Sequence, residues 1–349
     1  MNKDDSDLLC SIIAPCRNEE AFIDAFIDSL LQQSYPIKEL ELIIVDGDSS
    51  DKTRDKISTY TKKYPFIQLI QNPERIVPTA LNLAIEAARG RYIIRLDVHA
   101  TYHKDYIQNC LKHIQSKDAD NVGGICKIEA REETWRGRAI AEILSHPFSA
   151  GNAQYRISTS PDPKYVDTVP FGCFRKEIFY KIGGFIPQLS RNQDFELNQR
   201  ILKHGGKILL CPDIQVTYLA RSRVGAFASH MFNNGYWCLY YCELMKKLPA
   251  IRHLVPLFFV LGIILGPILG YLFPVTLVLY ASVLGLYLLL AIGSGVQIAI
   301  QKRQWRFLFL CPPLFAILHI SSGLGSLHCL ITRHFRLFTG SAVAPPILR

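Results

Sequence analysis

The chain has 349 residues and carries 39 Lys and Arg against 30 Asp and Glu, which gives a formal net charge of +9. The last acidic residue is Glu243, and the nine cations that follow it account for the whole excess. Residues 1–243 are therefore balanced in charge. This balance argues against a basic nucleic-acid-binding face on the N-terminal part and predicts that nucleic acid is not a partner.

The first hundred residues alternate short apolar strands with amphipathic helices. Strands are predicted over 10–15, 40–47, 66–72 and 91–97, and helices over 18–35, 49–64 and 79–90. This alternation predicts an α/β fold with a doubly wound, Rossmann-like, mostly parallel sheet. Ligands bind beyond the carboxyl ends of the strands in such sheets, and Pro15, Asp46 and Asp97 lie at three of these ends. The chain has no GxGxxG or GxxxxGK[ST] motif, which argues against a dinucleotide enzyme and a P-loop NTPase.

Asp46 opens the segment DGDSSD (46–51) at the end of the second strand. A carboxylate at a strand end can accept hydrogen bonds from a nucleotide base or a ribose. Asp and Ser after a strand also form Asx turns and helix N-caps. Both interpretations stand for Asp46 and Asp48.

Asp97 and His99 are two residues apart in an extended segment, so their side chains share a face. Carboxylate oxygens suit Mg²⁺ or Mn²⁺, and an imidazole favours Mn²⁺. Because no glycine-rich loop is present, a phosphorylated ligand would need such a cation to neutralise it. A loop histidine that only packs or hydrogen-bonds explains His99 as well.

Two later segments also combine polar groups with turns. FGCFRKEIFYKIGGF (171–185) predicts a loop, a short helix and a Gly-Gly turn, and it can present its backbone and Arg175 to a substrate. NQDFELNQRILKHGG (192–206) places Asp194 and Glu196 at the start of a helix. Acids at this position are ordinary partners of the helix dipole.

Together these segments resemble family 2 of the glycosyltransferases, which has the GT-A fold. The resemblance covers residues 10–220 and rests on the order of SIIAPCRNEEAFI, IIVDGDSSDKT, NPERIVPTALNLAIEAARGRYIIRLDVHATYHKDYI, GGF and NQDFELNQRIL. RLDVHATYHKDYI, and NNGYW before an apolar tail, resemble the bacterial exopolysaccharide glycosyltransferases of the succinoglycan type.

The resemblance implies roles for individual residues. Asp97 stands at the first aspartate of the family's D-x-D metal motif, His99 stands where a second aspartate is common, and Asp194 matches the catalytic base. The implied donor contacts are Pro15, Arg17, Asn18, Glu19, Asp46, Asp48, Asn82 and Asp97. The implied acceptor contacts are Gly172, Arg175, Gln193 and Trp237. The Q-x-x-R-W motif of processive synthases is absent, which argues against a chain-extruding polymerase.

The implied chemistry is a single in-line displacement with inversion. A divalent cation would stabilise the charge on the departing diphosphate, and a carboxylate would remove the proton of the acceptor hydroxyl. A retaining double displacement needs a second, nucleophilic carboxylate, and the sequence does not place one.

Residues 254–300 contain no charged residue and no histidine. At roughly 20 residues per span they predict two transmembrane helices, with a turn at Pro274. Pro312-Pro313 are expected to kink or break a third apolar stretch over 307–331. The positive-inside rule places the cations flanking the first two spans in the cytoplasm. A full third crossing would export Arg333 and Arg336, so an overridden rule and a re-entrant segment both stay open.

The expected organisation has four parts. These are a GT-A domain over 1–224, an interfacial amphipathic segment over 225–252, a membrane anchor of two to three spans over 253–333, and a basic tail over 334–349. Tyr236, Trp237, Tyr240 and Tyr241 are expected near the lipid headgroups. The polar start MNKDDSDLL predicts no signal peptide, hence a cytoplasmic catalytic domain at the bacterial inner membrane. The ten cysteines lack metal-type spacing and are expected to be free thiols.

These observations predict an inverting, metal-dependent hexosyltransferase of exopolysaccharide or other surface glycan synthesis. It would move a sugar from a nucleotide diphosphate, UDP-hexose, to a hydroxyl of a polyprenyl-diphosphate-linked saccharide. The expected partners are this donor, the lipid-linked acceptor, the bilayer and other polysaccharide-assembly proteins. A polyprenyl-phosphate sugar synthase and a catalytically dead membrane scaffold are the alternatives. The presence of Asp46, Asp97 and Asp194 together argues against the scaffold.

Overall fold

The computed structural model describes residues 9–247 and 251–339, apart from the side chains of residues 252 and 334–339. The predicted basic tail and the first eight residues therefore fall largely outside the described residues. The chain divides into two compact units, one from Met1–Lys127 and Ala153–Leu219 and the other from Ile128–Asn152 and Ala220–Arg349. The sequence did not indicate that residues 128–152 belong with the C-terminal helices.

One sheet is formed by nine strands of the described chain. They are β1 (Cys10–Cys16), β2 (Leu40–Asp46), β3 (Ile67–Gln71), β4 (Tyr92–Arg95), β5 (Ala100–Tyr102), β6 (Asn121–Ala130), β7 (Lys164–Tyr165), β8 (Cys173–Arg175) and β9 (Ile208–Ala220). The strand order is β3-β2-β1-β4-β8-β6-β9-β5, and β7 pairs with β9.

The first four strands are parallel, as predicted. The pairs β4–β8, β6–β8, β5–β9 and β7–β9 are antiparallel. The α/β class is confirmed, but the sheet is mixed rather than mostly parallel. Three of the antiparallel strands have only two or three residues, which is too short for an alternating pattern to show in the sequence.

The helices are numbered in chain order. They are α1 (Ile23–Leu31), α2 (Thr53–Lys63), α3 (Val77–Ala87), α4 (Tyr106–Ser116), α5 (Trp135–Leu144), α6 (Pro147–Ala150), α7 (Gln154–Ile157), α8 (Glu177–Ile182), α9 (Gln193–Lys203), α10 (Val224–Leu244), α11 (Ile251–Leu272), α12 (Pro274–Gln301) and α13 (Phe307–Thr339). The ten cysteines all lie in described residues, and none of them is in a disulfide, as predicted.

Helix α1 begins five residues later than predicted, and this delay shapes the loop after β1. Asn18 has a positive φ of 55°, which does not fit a helix. The backbone N–H groups of Asn18 and Glu19 donate to Ser49 Oγ at 2.9 Å and Thr53 Oγ1 at 2.8 Å. Residues 17–20 therefore form a loop fixed to the segment that follows β2.

The core of the first unit lies between the sheet and helices α3, α8 and α9. Ile93 of β4, Phe174 of β8, and Leu197 and Ile201 of α9 belong to one buried cluster. Burying large aliphatic and aromatic side chains of this kind contributes roughly 1.5–3 kcal/mol each. The cluster fixes α9 against the centre of the sheet.

Three helices of the second unit are long and apolar enough to cross a membrane. The candidate spans are His253–Leu272, Pro274–Gln301 and Phe307–Arg333. The predicted turn at Pro274 is confirmed, since α11 ends at Leu272 and α12 begins at Pro274.

The break predicted as one outcome at Pro312-Pro313 does not occur, because α13 is one continuous helix from Phe307 to Thr339, and the kink predicted as the other outcome stays a prediction. A Cβ added at Gly295 of α12 would lie 3.1 Å from the Pro312 ring. The absence of a side chain at Gly295 therefore leaves room for the proline ring between α12 and α13.

The segment predicted to lie amphipathically at the interface is largely buried by protein. Tyr236, Trp237, Tyr240 and Tyr241 of α10 are between 3% and 5% exposed, and the rings of the first three pack against one another. A Cβ at Gly235 would lie 1.9 Å from the carbonyl oxygen of Ser322 on α13. Helix α10 therefore packs tightly along α13, and its aromatic residues are not free to contact headgroups.

Helices α5 and α6 pack on the C-terminal helices of the same unit. Ile140 and Ile143 of α5 share a buried cluster with Phe227 and Phe315. His319 Nε2 donates to the carbonyl oxygen of Phe148 at 3.2 Å. These contacts explain why residues 128–152 group with the helices at the other end of the chain.

Candidate active site

The carboxyl ends of β1, β2 and β4 lie at one edge of the sheet. Cys16, at the end of β1, is paired with Asp46 at the end of β2. Strand β4 pairs with β1 in parallel and ends at Arg95, two residues before Asp97. Pro15, Asp46 and Asp97 thus lie at the same edge, as the strand pattern predicted.

Asp46 stabilises the turn that follows β2. It is 1% exposed, and its Oδ1 and Oδ2 accept hydrogen bonds from Ser49 Oγ at 2.5 Å and Ser49 N at 3.2 Å. Asn18 Oδ1 accepts from the backbone N–H of Ser50 at 2.8 Å. Asp46 therefore has the turn-forming role that the sequence left open, and its contact with a donor stays a prediction.

The other predicted donor residues of the first two loops differ in exposure. Arg17 is exposed and Glu19 is half-buried. Asp48 has a positive φ of 58° and forms an ion pair with Arg75. The loops therefore present charged groups of both signs at the edge where β1 and β2 end.

The predicted metal ligand and the predicted base bind the same guanidinium. Arg95 Nη2 donates to Asp97 Oδ1 at 2.7 Å, and Arg95 Nη1 donates to Asp194 Oδ2. The Arg95 side chain is 5% exposed and lies over the Phe171 ring, 5.5 Å from its centroid. Arg95 is a central residue of this site, although the sequence analysis did not single it out.

Asp194 is the second residue of α9 and offers one unoccupied oxygen. Its side chain is 24% exposed, but Oδ1 itself is buried and has no hydrogen-bond partner within the described part of the chain. Burial raises the pKa of Asp194, Arg95 counteracts this by stabilising the charged form, and Asp97 adds to the rise. Oδ1 has no exposed surface in this structure, so an acceptor hydroxyl could donate to it, as a general base requires, only after a local side-chain movement.

The arrangement follows from side-chain alternation on β4. Ile93 packs with Leu197 and Ile201 of α9 in the core. Arg95 is two residues further along the same face, and Asp194 is three residues before Leu197, close to one helical turn. The same packing that buries Ile93 therefore brings Arg95 to the first turn of α9.

Polar contacts also hold α9 in place. Asn198 Oδ1 accepts from Asn121 Nδ2 at 2.7 Å. Arg200 Nη2 donates to Glu196 Oε2 at 2.7 Å and to the carbonyl oxygen of Gly184 at 2.6 Å. Gln193, a predicted acceptor contact, is half-buried and directly precedes Asp194.

The structure gives Asn82 and Gly172 structural roles, and their predicted ligand contacts stay predictions. Asn82 Nδ2 donates to the carbonyl oxygen of Phe185 at 2.8 Å, and the N–H of Phe185 donates to Asn82 Oδ1 at 2.7 Å. A Cβ at Gly172 would lie 2.2 Å from Asn121 Oδ1. Asn82 thus fixes the loop after α8, and Gly172 allows close packing.

Arg175 and Trp237 also differ from the prediction of acceptor contacts. Arg175 is paired with Tyr92 at the start of β4, and its Nη2 donates to the carbonyl oxygen of Ile114 at 2.6 Å. It therefore lies at the end of β4 opposite to Asp97. Trp237 is 4% exposed and packs in the second unit, so its ring offers no accessible surface.

His99 contacts another predicted site residue. Its Nδ1 lies 3.2 Å from Glu19 Oε1, and its ring packs edge-on against Tyr218, with centroids 6.2 Å apart. The Asp97 side chain is 19% exposed, and its Oδ1 accepts from Arg95 Nη2. Asp97, with His99 or Glu19, could hold a divalent cation at this edge.

A different group of potential ligands lies elsewhere in the first unit. His113 of α4 and Cys211 and Asp213 of β9 place one ligand atom each within 4.8 Å of the others. His113 Nε2 already lies 2.8 Å and 2.9 Å from the two Asp213 oxygens. This pair joins α4 to β9, and we assign it a structural role.

Arg156 brings a second guanidinium towards Asp97. Burial raises the pKa of Cys126 to about 11, Arg156 lowers it and Asp97 raises it, so both charges act on the same thiol. Arg156 lies over the Tyr155 ring, 5.4 Å from its centroid. The sequence carried no signal for this residue, because the four-residue helix α7 is too short to show a pattern.

Comparisons with known proteins show which family the chain is similar to. Residues 11–183 match the family model described as Glycosyl transferase family 2. The chain is similar to the succinoglycan biosynthesis protein ExoA of Rhizobium meliloti (strain 1021). The two are 26% identical over 296 residues, and this match covers 84% of this chain and 86% of that protein.

A second relative is the dolichyl N-acetyl-alpha-D-glucosaminyl phosphate 3-beta-D-2,3-diacetamido-2,3-dideoxy-beta-D-glucuronosyltransferase of Methanococcus voltae. It is 29% identical over 231 residues, which cover 64% of this chain and 71% of that protein. Among solved structures, the mannosyltransferase PcManGT from Pyrobaculum calidifontis, in complex with GDP-Man and Mn²⁺, is similar with a TM-score of 0.59. The identity is 18%, and the likeness covers 95% of this chain and 90% of that one. It supports a shared fold, with the predicted GT-A architecture.

Proposed function

The chain belongs to glycosyltransferase family 2, and on this premise we propose that it is an inverting, metal-dependent hexosyltransferase of surface glycan synthesis. It moves a sugar from a nucleotide-diphosphate sugar, UDP-hexose, to a hydroxyl of a polyprenyl-diphosphate-linked saccharide. Asp194 acts as the base, and Asp97 holds a divalent cation. The observation that carries the proposal is the convergence of Asp97 and Asp194 on Arg95, with Asp194 Oδ1 unpartnered in the described residues.

The residues around Asp97 offer donor types that a divalent cation prefers. The Asp97 carboxylate is partly exposed at the edge where β4 ends, and His99 Nδ1 lies 3.2 Å from Glu19 Oε1. These three residues do not bring their ligand atoms within 4.8 Å of one another among the described residues, so a cation held by all three would have to draw them together. Hard oxygen ligands with one imidazole suit Mn²⁺ or Mg²⁺. When bound, the cation supplies Lewis-acid stabilisation of charge on the departing diphosphate.

The chain's own residues supply the remaining chemistry. Arg95 holds Asp194 Oδ2, which leaves Oδ1 to accept the proton of the acceptor hydroxyl during attack. No described residue places a second carboxylate in the position of a nucleophile, and a single base supports inversion at the anomeric carbon. An α-linked donor then yields a β-linked product.

The relatives and the apolar helices support the lipid-linked acceptor. One relative is named for succinoglycan biosynthesis, and the other is named for transfer to a dolichyl-phosphate-linked sugar. Three helices of this chain are long and apolar enough to cross a membrane. We infer a multi-pass protein of the bacterial inner membrane with a cytoplasmic catalytic domain, acting with the bilayer and other polysaccharide-assembly proteins as partners.

Mass spectrometry of products from the full-length protein in detergent tests the proposal. The donors are a panel of nucleotide sugars. The acceptors are a polyprenyl-diphosphate saccharide, polyprenyl phosphate and the free oligosaccharide. We expect one hexose to be added to the lipid-linked saccharide. A product on polyprenyl phosphate alone would identify a polyprenyl-phosphate sugar synthase, and equal transfer to the free oligosaccharide would refute the lipid-linked acceptor. Donor binding without any product would identify a scaffold.

A further inference from the structure

The positively charged guanidinium of Arg95 lies between the two carboxylates of the candidate active site. Its backbone N–H donates to the carbonyl oxygen of Gly172 at 3.0 Å, and its side chain is 5% exposed. The Phe171 ring lies under the guanidinium, 5.5 Å from the centroid to Cζ. The sheet and this packing hold the guanidinium in place. If the side chain of Asp97 or Asp194 moves, the guanidinium therefore stays where it is.

The burial of Arg95 is compensated by its two carboxylate partners. A buried charge is costly unless it is paired and hydrogen-bonded. Nη1 and Nη2 bind Asp194 and Asp97, whereas Nε is buried and has no hydrogen-bond partner in the described ranges. The guanidinium therefore binds the two acids through its two terminal nitrogens, one acid each.

The charges at the site create a competition for Asp97. Arg95 lies between the Asp97 and Asp194 carboxylates, and Glu19 and His99 contact each other at the same edge. Arg95 binds Oδ1 of Asp97, so a divalent cation at Oδ2 would lie close to the guanidinium, and like charges repel strongly where water is scarce. A nucleotide diphosphate brings negative charge and relieves that repulsion.

We propose that Arg95 is a positioning residue that couples cation binding to the base, an inference that rests on the roles given above to Asp97 and Asp194. Arg95 binds Oδ2 of Asp194 and so leaves Oδ1 as the oxygen for the acceptor. It also opposes a divalent cation at Asp97 until the nucleotide diphosphate is present. Cation and nucleotide consequently favour each other's binding, and the coupling is reciprocal.

Two variants of the full-length protein in detergent separate these effects. Arg95→Gln removes the charge, and Arg95→Lys keeps the charge but has only one terminal nitrogen. Mn²⁺ binding without nucleotide is measured from the electron paramagnetic resonance signal of free Mn²⁺. We expect Arg95→Gln to bind Mn²⁺ about tenfold more tightly and its kcat to fall about 100-fold, with the donor KM changed by less than about threefold. Arg95→Lys should lose a similar factor in kcat and keep the Mn²⁺ affinity of the unmodified protein.

Arg200→Gln is the matched control, because Arg200 also forms a buried ion pair, with Glu196 of α9, away from Asp97. It should leave Mn²⁺ affinity unchanged, although it lowers stability. Unchanged Mn²⁺ affinity and kcat in Arg95→Gln would overturn the inference. If Arg95→Gln does not fold by circular dichroism, Arg95→Lys decides, and normal kcat in that variant overturns it.

Asp97→Asn separates this inference from the proposed function. Loss of Mn²⁺ binding in Asp97→Asn, together with no effect of Arg95→Gln, refutes the role of Arg95 alone. Mn²⁺ binding that is unaffected by Asp97→Asn refutes the metal role of Asp97, and with it the premise of the inference.

Discussion

Arg95 and Asp194 are 99 residues apart in the sequence and form a buried ion pair in the structure. The pair connects the end of a central strand to the first turn of α9. It binds one carboxylate oxygen of Asp194 and leaves the other without a partner among the described residues. The fold itself thus sets the orientation of the Asp194 carboxylate, the residue we propose as the base.

The first prediction concerns Asp194. Asp194→Asn keeps the shape of the side chain but cannot accept a proton, so we expect kcat to fall by about 10²- to 10⁴-fold. Donor binding, measured by calorimetry, should change by less than about threefold. Asp118→Asn is the control, because Asp118 is an exposed acid paired with Lys207. Normal turnover in Asp194→Asn would remove Asp194 from the base role.

The second prediction concerns the divalent cation. Removal of metal with EDTA should abolish transfer, and Mn²⁺ or Mg²⁺ should restore it, because the departing diphosphate needs its charge stabilised. The measurement is the initial rate of transfer after chelation and after addition of each ion. Transfer that survives exhaustive chelation would contradict the role given to Asp97 and His99.

The third prediction concerns Asn82. Asn82→Ala removes both hydrogen bonds to the Phe185 backbone, and we expect the free energy of unfolding to fall by about 1–3 kcal/mol. Asn82→Asp keeps an acceptor for the Phe185 N–H and should lose less. Stability is measured by denaturant titration of the detergent-solubilised protein. A large rise in the donor KM with unchanged stability would restore Asn82 as a donor contact.

The fourth prediction concerns the packing of α10 on α13. A Cβ at Gly235 would lie 1.9 Å from Ser322 O, and one at Gly325 would lie 1.9 Å from Phe232 O. Small residues let helices approach this closely, so Gly235→Val should sharply lower thermal stability and yield in detergent. Gly285→Val is the control, since a Cβ at Gly285 meets nothing within 4 Å. Equal stability of the two variants would contradict the close packing.

The sequence predicted the residues whose chemistry is local and missed those whose role depends on tertiary contacts. Asp97 and Asp194 stood out as acids at a strand end and a helix start. Arg95 is two residues before Asp97 and therefore lies on the same face of the strand. An arginine in a strand is normally expected to be exposed, and only the structure shows its partner on α9. Asn82 and Arg175 were predicted to contact ligands. Their side chains donate hydrogen bonds to backbone carbonyl groups that are distant in the sequence, and such contacts are not visible in a local pattern.

The same reason limited the prediction of the fold. Strands β1 to β4 carry long apolar runs, and their parallel pairing followed from the alternation with helices. Strands β5, β7 and β8 have only two or three residues, and partner strands elsewhere in the chain complete them. Trp237 was placed at the membrane surface by composition, whereas tight packing along α13 buries it.

The ion pair between Arg333 and Glu243 bears on how the chain meets the bilayer. Arg333 Nη2 donates to Glu243 Oε1 at 2.6 Å, which joins the C-terminal end of the candidate span in α13 to the last acidic residue of the chain, three residues before Lys246. The pair offsets the charge of Arg333 within the second unit, so this cation carries less weight than an unpaired one in a positive-inside argument about α13.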